Sequence, residues 1–109
     1  MTMSVFQGVM EEELERNLRK QEAFKAELLL HPKGYLSVCR IDGADYVYLK
    51  HREGKRVIST YVGLPGSNEV EKAAKEREAY LLAKRSLAEL KAEEKRLRKA
   101  IKDYANVRG

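Results

Sequence analysis

From Asn68 to Ala105 the chain carries neither glycine nor proline, and its apolar residues recur with a helical period. Ala73, Tyr80, Leu87 and Ile101 share one heptad position, and Ala83, Leu90, Leu97 and Tyr104 share another three residues on. That is the a/d seam of a coiled-coil-like helix, interrupted by Glu94 where an apolar residue is due. Ser67 or Asn68 can cap its start, with Glu69 and Glu71 in the first turn. At 1.5 Å per residue such a helix is about 57 Å long. A rod of this length needs a partner for its seam, and that demand limits what the rest of the chain can be.

A second helical pattern runs from Val9 to Leu30. Met10, Leu14, Leu18, Phe24, Leu28 and Leu29 fall on one stripe. Residues 1–8 read as a frayed leader closed by Gly8, and Glu11, Glu12, Glu13 and Glu15 are placed to favour the positive end of the helix dipole. His31-Pro32-Lys33-Gly34 ends the helix, because proline has no N–H to continue it. The two helices are expected to pair antiparallel. The first, about 33 Å long, is too short to cover the second. Leu90, Leu97, Ile101 and Tyr104 are therefore expected to form an oligomerisation surface, with a homodimer through the second helix as the expected assembly.

Between the helices lie three β runs: Tyr35–Ile41, Ala44–Arg52 and Lys55–Val62. Asp42-Gly43 is a strong type I′ hairpin signal and Glu53-Gly54 a weaker one. With both as two-residue loops, Leu36 faces Leu49, Val38 faces Val47, and on the other side Leu49 faces Ile58 and Tyr46 faces Tyr61. One sheet face then carries Leu36, Val38, Val47, Leu49, Ile58 and Val62. The other carries Tyr35, Ser37, Cys39, Tyr46, Tyr48, Lys50, Arg52, Lys55, Ser59 and Tyr61. The fold class is α+β: an N-terminal helix, a three-stranded antiparallel β-meander and a long C-terminal helix, within one domain over residues 1–109.

Charge is unevenly spread over the 109 residues, whose net charge is +5. Residues 1–31 are net −2, residues 32–66 net +3 and residues 67–109 net +4. Basic clustering favours a polyanionic partner. The lone Cys39 excludes an intramolecular disulfide, and no apolar run approaches a membrane span. With no signal-peptide pattern at the start, the expected location is cytoplasmic.

No catalytic constellation stands out. His31 and His51 lack partners at metal-ligand spacing, and Gly63-Leu64-Pro65-Gly66 is too short for a phosphate-binding loop. The expectation is a non-enzymatic binding protein with no cofactor, metal or small-molecule substrate. Its informative surface is the tyrosine-bearing sheet face. Tyr35, Tyr46, Tyr48 and Tyr61 share it with Lys50, Arg52 and Lys55, and Arg56 lies beside it around the second turn. Arg52 opposite Lys55 and His51 opposite Arg56 would be costly unless something anionic compensates. Rings can stack on bases while cations hold phosphates. A second basic stretch, Lys91, Lys95, Arg96, Arg98, Lys99 and Lys102, lies on the second helix, where it can serve as a solvated face or touch phosphates.

The segments Pro32-Lys33-Gly34-Tyr35-Leu36, Ile41-Asp42-Gly43, Tyr46-Val47-Tyr48-Leu49, Arg52-Glu53-Gly54-Lys55 and Tyr61-Val62-Gly63 resemble a family of small prokaryotic proteins without a settled function, in which a helix lies on either side of a β core. The meander is also similar in outline to the amino-terminal meander of insertion-sequence transposases and the arm-binding domains of phage integrases. That resemblance implies nucleic-acid binding by analogy. The expected function is a nucleic-acid-binding accessory or regulatory protein of a mobile element or defence locus. The alternative is a phage-type inhibitor, anti-CRISPR-like, or an antitoxin-like adaptor that binds a protein or nucleoprotein effector.

Overall fold

The computed structural model describes residues 5–31 and 33–108. Helix α1 (Val5–Leu30) is followed by strands β1 (Tyr35–Ile41), β2 (Ala44–Glu53) and β3 (Arg56–Gly63), then by helix α2 (Asn68–Arg108). The strands form one antiparallel sheet in the order β1-β2-β3, so the class is α+β. No described helix is long and apolar enough to cross a membrane. The chain packs as two compact units: a helical one from α1 up to Leu28 and α2 from Leu82 onward, and a sheet unit, Leu29–Leu81.

In the helical unit α1 begins four residues earlier than its periodicity indicated and includes Gly8. Glu11 to Glu15 consequently lie beyond the first turn, which holds no acidic residue, and they act through local pairs such as Glu13 with Arg16. The earlier start also removes the overhang on which the dimer expectation stood. The Phe6 ring lies 5.5 Å from that of Tyr104, so α1 reaches the C-terminal end of the seam. Leu90, Leu97, Ile101 and Tyr104 are half-buried, all within this unit.

The middle of the helix pair is polar. Asn17 and Gln21 are buried at 1% and 3% exposure, deeper than Met10 or Leu87. They belong to the series Met10, Leu14, Asn17, Gln21, Phe24, Leu28, whose alternating spacing of four and three is itself a heptad seam. Asn17 Nδ2 donates to Leu90 O at 2.9 Å and to Glu93 Oε1 at 3.3 Å. Gln21 Nε2 donates to Asn17 Oδ1 at 2.7 Å and to Glu94 Oε1 at 2.8 Å. Glu94, the break in the α2 seam, therefore meets the polar break in α1. Among the described residues no buried side-chain nitrogen or oxygen lacks a hydrogen-bond partner. A satisfied polar layer is neutral or costly beside an apolar one, but it admits few registers.

In the sheet unit the first hairpin has the expected register, with Leu36 opposite Leu49, Val38 opposite Val47 and Ile41 opposite Ala44. The second differs. Glu53 pairs with Arg56, His51 with Ile58 and Tyr48 with Tyr61, so the loop is Gly54-Lys55 rather than Glu53-Gly54. The reason is backbone chirality. A type I′ turn at Glu53-Gly54 needs positive φ at Glu53, which costs an L-residue about 1–2 kcal/mol. Moving the loop on by one puts Gly54, at φ 61°, in the first central position, the one place a type II′ turn needs it. From Arg52 to Tyr48 each pairing shifts by two residues, so most side chains keep their faces. Val62, expected on the aliphatic face, is instead the extra residue of a bulge where Val47 pairs with Gly63. Val47 is buried, Leu36, Leu49 and Ile58 are half-buried, and Val38 stays exposed.

The start of α2 is tied to the sheet at two points. Ser67 caps it, its Oγ accepting from Val70 N at 3.3 Å, and a Cβ on Gly63 would strike that Oγ. Farther along, Arg77 Nη1 donates to Gly34 O at 2.9 Å. Gly34 has φ +123°, and a Cβ there would sit 2.2 Å from Lys50 O.

Three predictions follow from these constraints. Asn17→Ala should lower stability by about 1–3 kcal/mol in urea denaturation, because it strips Gln21 of an acceptor inside the layer. Asn17→Leu/Gln21→Leu/Glu94→Leu should instead raise the unfolding midpoint while its elution profile splits into several species; a single unsplit species would show that the layer sets no register. Second, hydrogen bonds from Gln21 and then Arg98 hold the Glu94 carboxyl below its ordinary pKa, against a smaller opposing effect of desolvation. A depressed folded-state pKa contributes stability above the unfolded value and loses it as pH falls through the folded one. The Tm advantage of wild type over Glu94→Gln should therefore shrink as pH falls below about 4.3, and a constant difference from neutral to acid pH would refute the linkage. Third, Gly54→Ala should cost about 1–2 kcal/mol and Gly34→Ala more, since its Cβ must also displace a strand carbonyl. Equal costs would place the Gly34 effect in φ alone.

Candidate nucleic-acid interface

Strand β2 builds the site by alternation. Successive side chains point to opposite faces, so Tyr46, Tyr48, Lys50 and Arg52 emerge together. Strand β1 adds Tyr35 directly opposite Lys50, and β3 adds Tyr61 directly opposite Tyr48. The rings of Tyr48 and Tyr61 meet at 5.6 Å between centroids and 64° between planes, and those of Tyr46 and Tyr61 at 6.2 Å and 61°. These are edge-type contacts, which suit the ring quadrupole better than face-to-face stacking. Tyr61 is thus held from two sides yet remains 52% exposed, and Tyr35 is 58% exposed. Tyr46, Tyr48 and Lys50 are half-buried.

The corrected register redistributes the charge. Lys55 lies in the turn rather than on a strand, and Val57 takes its expected place opposite Arg52. Arg56 stands opposite Glu53, on the aliphatic face rather than beside the tyrosines. Neither like-charge pair, Arg52 with Lys55 or His51 with Arg56, exists, so the hairpin carries no repulsion of that kind to be relieved. His51 Nε2 instead lies 3.2 Å from Glu53 Oε1. Among the described residues, Lys50, Arg52, Lys55 and Arg56 make no ion pair with a carboxylate. The structure therefore gathers Tyr35, Tyr46, Tyr48, Lys50, Arg52 and Tyr61 on one face and leaves Lys55 in the turn at its end and Arg56 on the opposite face.

Sequence reasoning missed Val57, an exposed apolar neighbour of Arg52 on this face. The signal was available in the alternation of β3, which puts Val57 on the face of Ser59 and Tyr61, and the type II′ turn only moves it from opposite Lys50 to opposite Arg52. Among the described residues no cluster of three His, Cys, Asp or Glu side chains is placed to hold a metal ion, and Cys39 is a free, half-buried thiol. A surface of this kind can stack planar groups and attract anions. Comparison with family models, curated proteins and solved structures finds no match for the chain.

Proposed function

We propose that the protein is a non-enzymatic nucleic-acid-binding accessory or regulatory protein, with the tyrosine face of its sheet as the contact surface. The supporting observation is the Tyr46–Tyr48–Tyr61 ring cluster, flanked on the same face by Lys50 and Arg52 without carboxylate partners. Tyrosine rings stack on unpaired bases with little sequence preference, at about 1–3 kcal/mol per base, and cations beside them take the phosphates. Exposed Tyr35 and Tyr61 are the stacking groups, and the half-buried rings brace Tyr61. Lys55 in the adjoining turn and Arg56 on the opposite face supply longer-range attraction. The resemblance of the meander to transposase and integrase arm domains favours a mobile element or defence locus as its setting.

A second reading, an inhibitor or adaptor directed at a protein or nucleoprotein effector, draws on exposed Val38 and Val57. Fluorescence anisotropy with labelled duplex DNA, single-stranded DNA and RNA separates the two. The nucleic-acid reading expects salt-sensitive binding, tighter for single strands, that weakens at least about tenfold in Tyr48→Ala/Lys50→Ala/Arg52→Ala. Absence of wild-type binding to all three probes would retire it in favour of a protein partner.

A further inference from the structure

We propose that the outer flank of α2 is a second polyanion contact, formed by Lys84, Lys91, Lys95 and Lys102, which follows a nucleic-acid backbone without reading sequence. This rests on the nucleic-acid reading of the sheet. The residues follow one another at intervals of seven, four and seven. At 100° per residue they lie within roughly 40° of arc, and at 1.5 Å per residue the row is about 27 Å long. All of them are exposed, and the row lies off the arc of Ala83 and Leu87, the residues that α2 buries within the helical unit.

The pairing pattern is what distinguishes this row from an ordinary solvated face. The neighbours at its margins are neutralised: Arg98 Nε by Glu94 Oε2 at 2.7 Å, and Lys99 Nζ by Asp103 Oδ2 at 2.9 Å. Among the described residues none of the row's lysines has such a partner. No carboxylate stands four residues before or after any of them, and the one that stands three away, Glu94 beside Lys91, is taken up by Arg98 and Gln21. Several like-charge pairs stand at the four-residue spacing instead: Lys91 with Lys95, Lys95 with Lys99, and Arg98 with Lys102. Each is unfavourable in the free helix, and an anionic partner along the row would relieve them together.

Its regular spacing and length select the partner. Duplex DNA carries a charge about every 1.7 Å along its axis, continuous over any such length. An anionic membrane would also attract lysines, but a helix that lies on lipid presents large apolar residues beside them. Here the intervening surface is Ala88 and Ala92, and of the exposed large apolar residues of α2 Leu81 alone stands beside the row, at its start.

The test compares wild type, Lys84→Gln/Lys91→Gln/Lys95→Gln/Lys102→Gln and the triple alanine variant of the sheet. Each is titrated against a fluorescein-labelled duplex, one of its single strands, and phosphatidylserine–phosphatidylcholine vesicles across a salt series. Circular dichroism checks that every variant is folded. The glutamine variant should bind nucleic acid on the order of 100-fold more weakly at low salt, and its log K against log salt slope should flatten by about three to four units. The order of preference among probes should stay unchanged, because the tyrosine face is intact. Wild-type affinity and slope in the glutamine variant, with binding lost only in the sheet variant, would overturn this proposal and leave the sheet reading standing. Failure of wild type to bind either nucleic acid would overturn both. Vesicle binding that needs the lysines, without a change in nucleic-acid binding, would assign the row to a membrane.

Discussion

The hydrogen bonds that join Asn17 and Gln21 to Leu90, Glu93 and Glu94 set the terms for the helical unit. Apolar seams of Leu and Ala tolerate sliding, because each register buries similar area. A buried amide does not, since a slip leaves its donors unpaired in a low-dielectric interior, at a cost of several tenths to a few kcal/mol each. Two interruptions, one in each seam, have to coincide, and only then are all the polar atoms satisfied. With that register set, Phe6 reaches Tyr104 and the seam is covered to its end. The apolar core beside this layer is thin: Met10, Ala83 and Leu87 in the helical unit, Val47 in the sheet. Specificity from polar pairing therefore matters more here than in a chain with a thick hydrophobic centre.

The sheet solves its own register differently. Each hairpin is governed by which residue tolerates a positive φ. Asp42 and Gly43 both do, at 51° and 81°, and the first register follows as the residues imply. At the second turn Glu53 stays in the right-handed half of the map, so glycine moves to the leading position and the ladder shifts by two. Because the side-chain period of a strand is two, this shift leaves the tyrosines together while it undoes the charge pairing inferred from the shorter loop. Aromatic clustering was thus legible in the alternation of β2, and the charge pattern at the tip was not. The bulge at Val62 had no local signal, since its cause is the pairing of Gly63 with Val47.

The surfaces carry two kinds of cation. Some are spent on neighbours within a turn, as Arg16, Lys25, Arg98 and Lys99 are, and such exposed pairs contribute little. Others, in the β2–β3 hairpin and along the outer flank of α2, make no ion pair among the described residues. Composition counts both kinds alike, and only their placement separates a solvated face from one with unused positive charge.

Element order, the strand faces, the first hairpin and the existence of both helices were determined by the sequence alone, because each follows from local backbone preference and short-range periodicity. Where α1 begins, and that Asn17 and Gln21 are buried while Leu29 is not, only the tertiary structure decided. Leu29 is 87% exposed, while the two amides are buried because Glu93, Glu94 and the Leu90 carbonyl satisfy them from residues more than seventy positions away. A polar side chain becomes a core residue only when its partner is known, and sequence separation hides that partner.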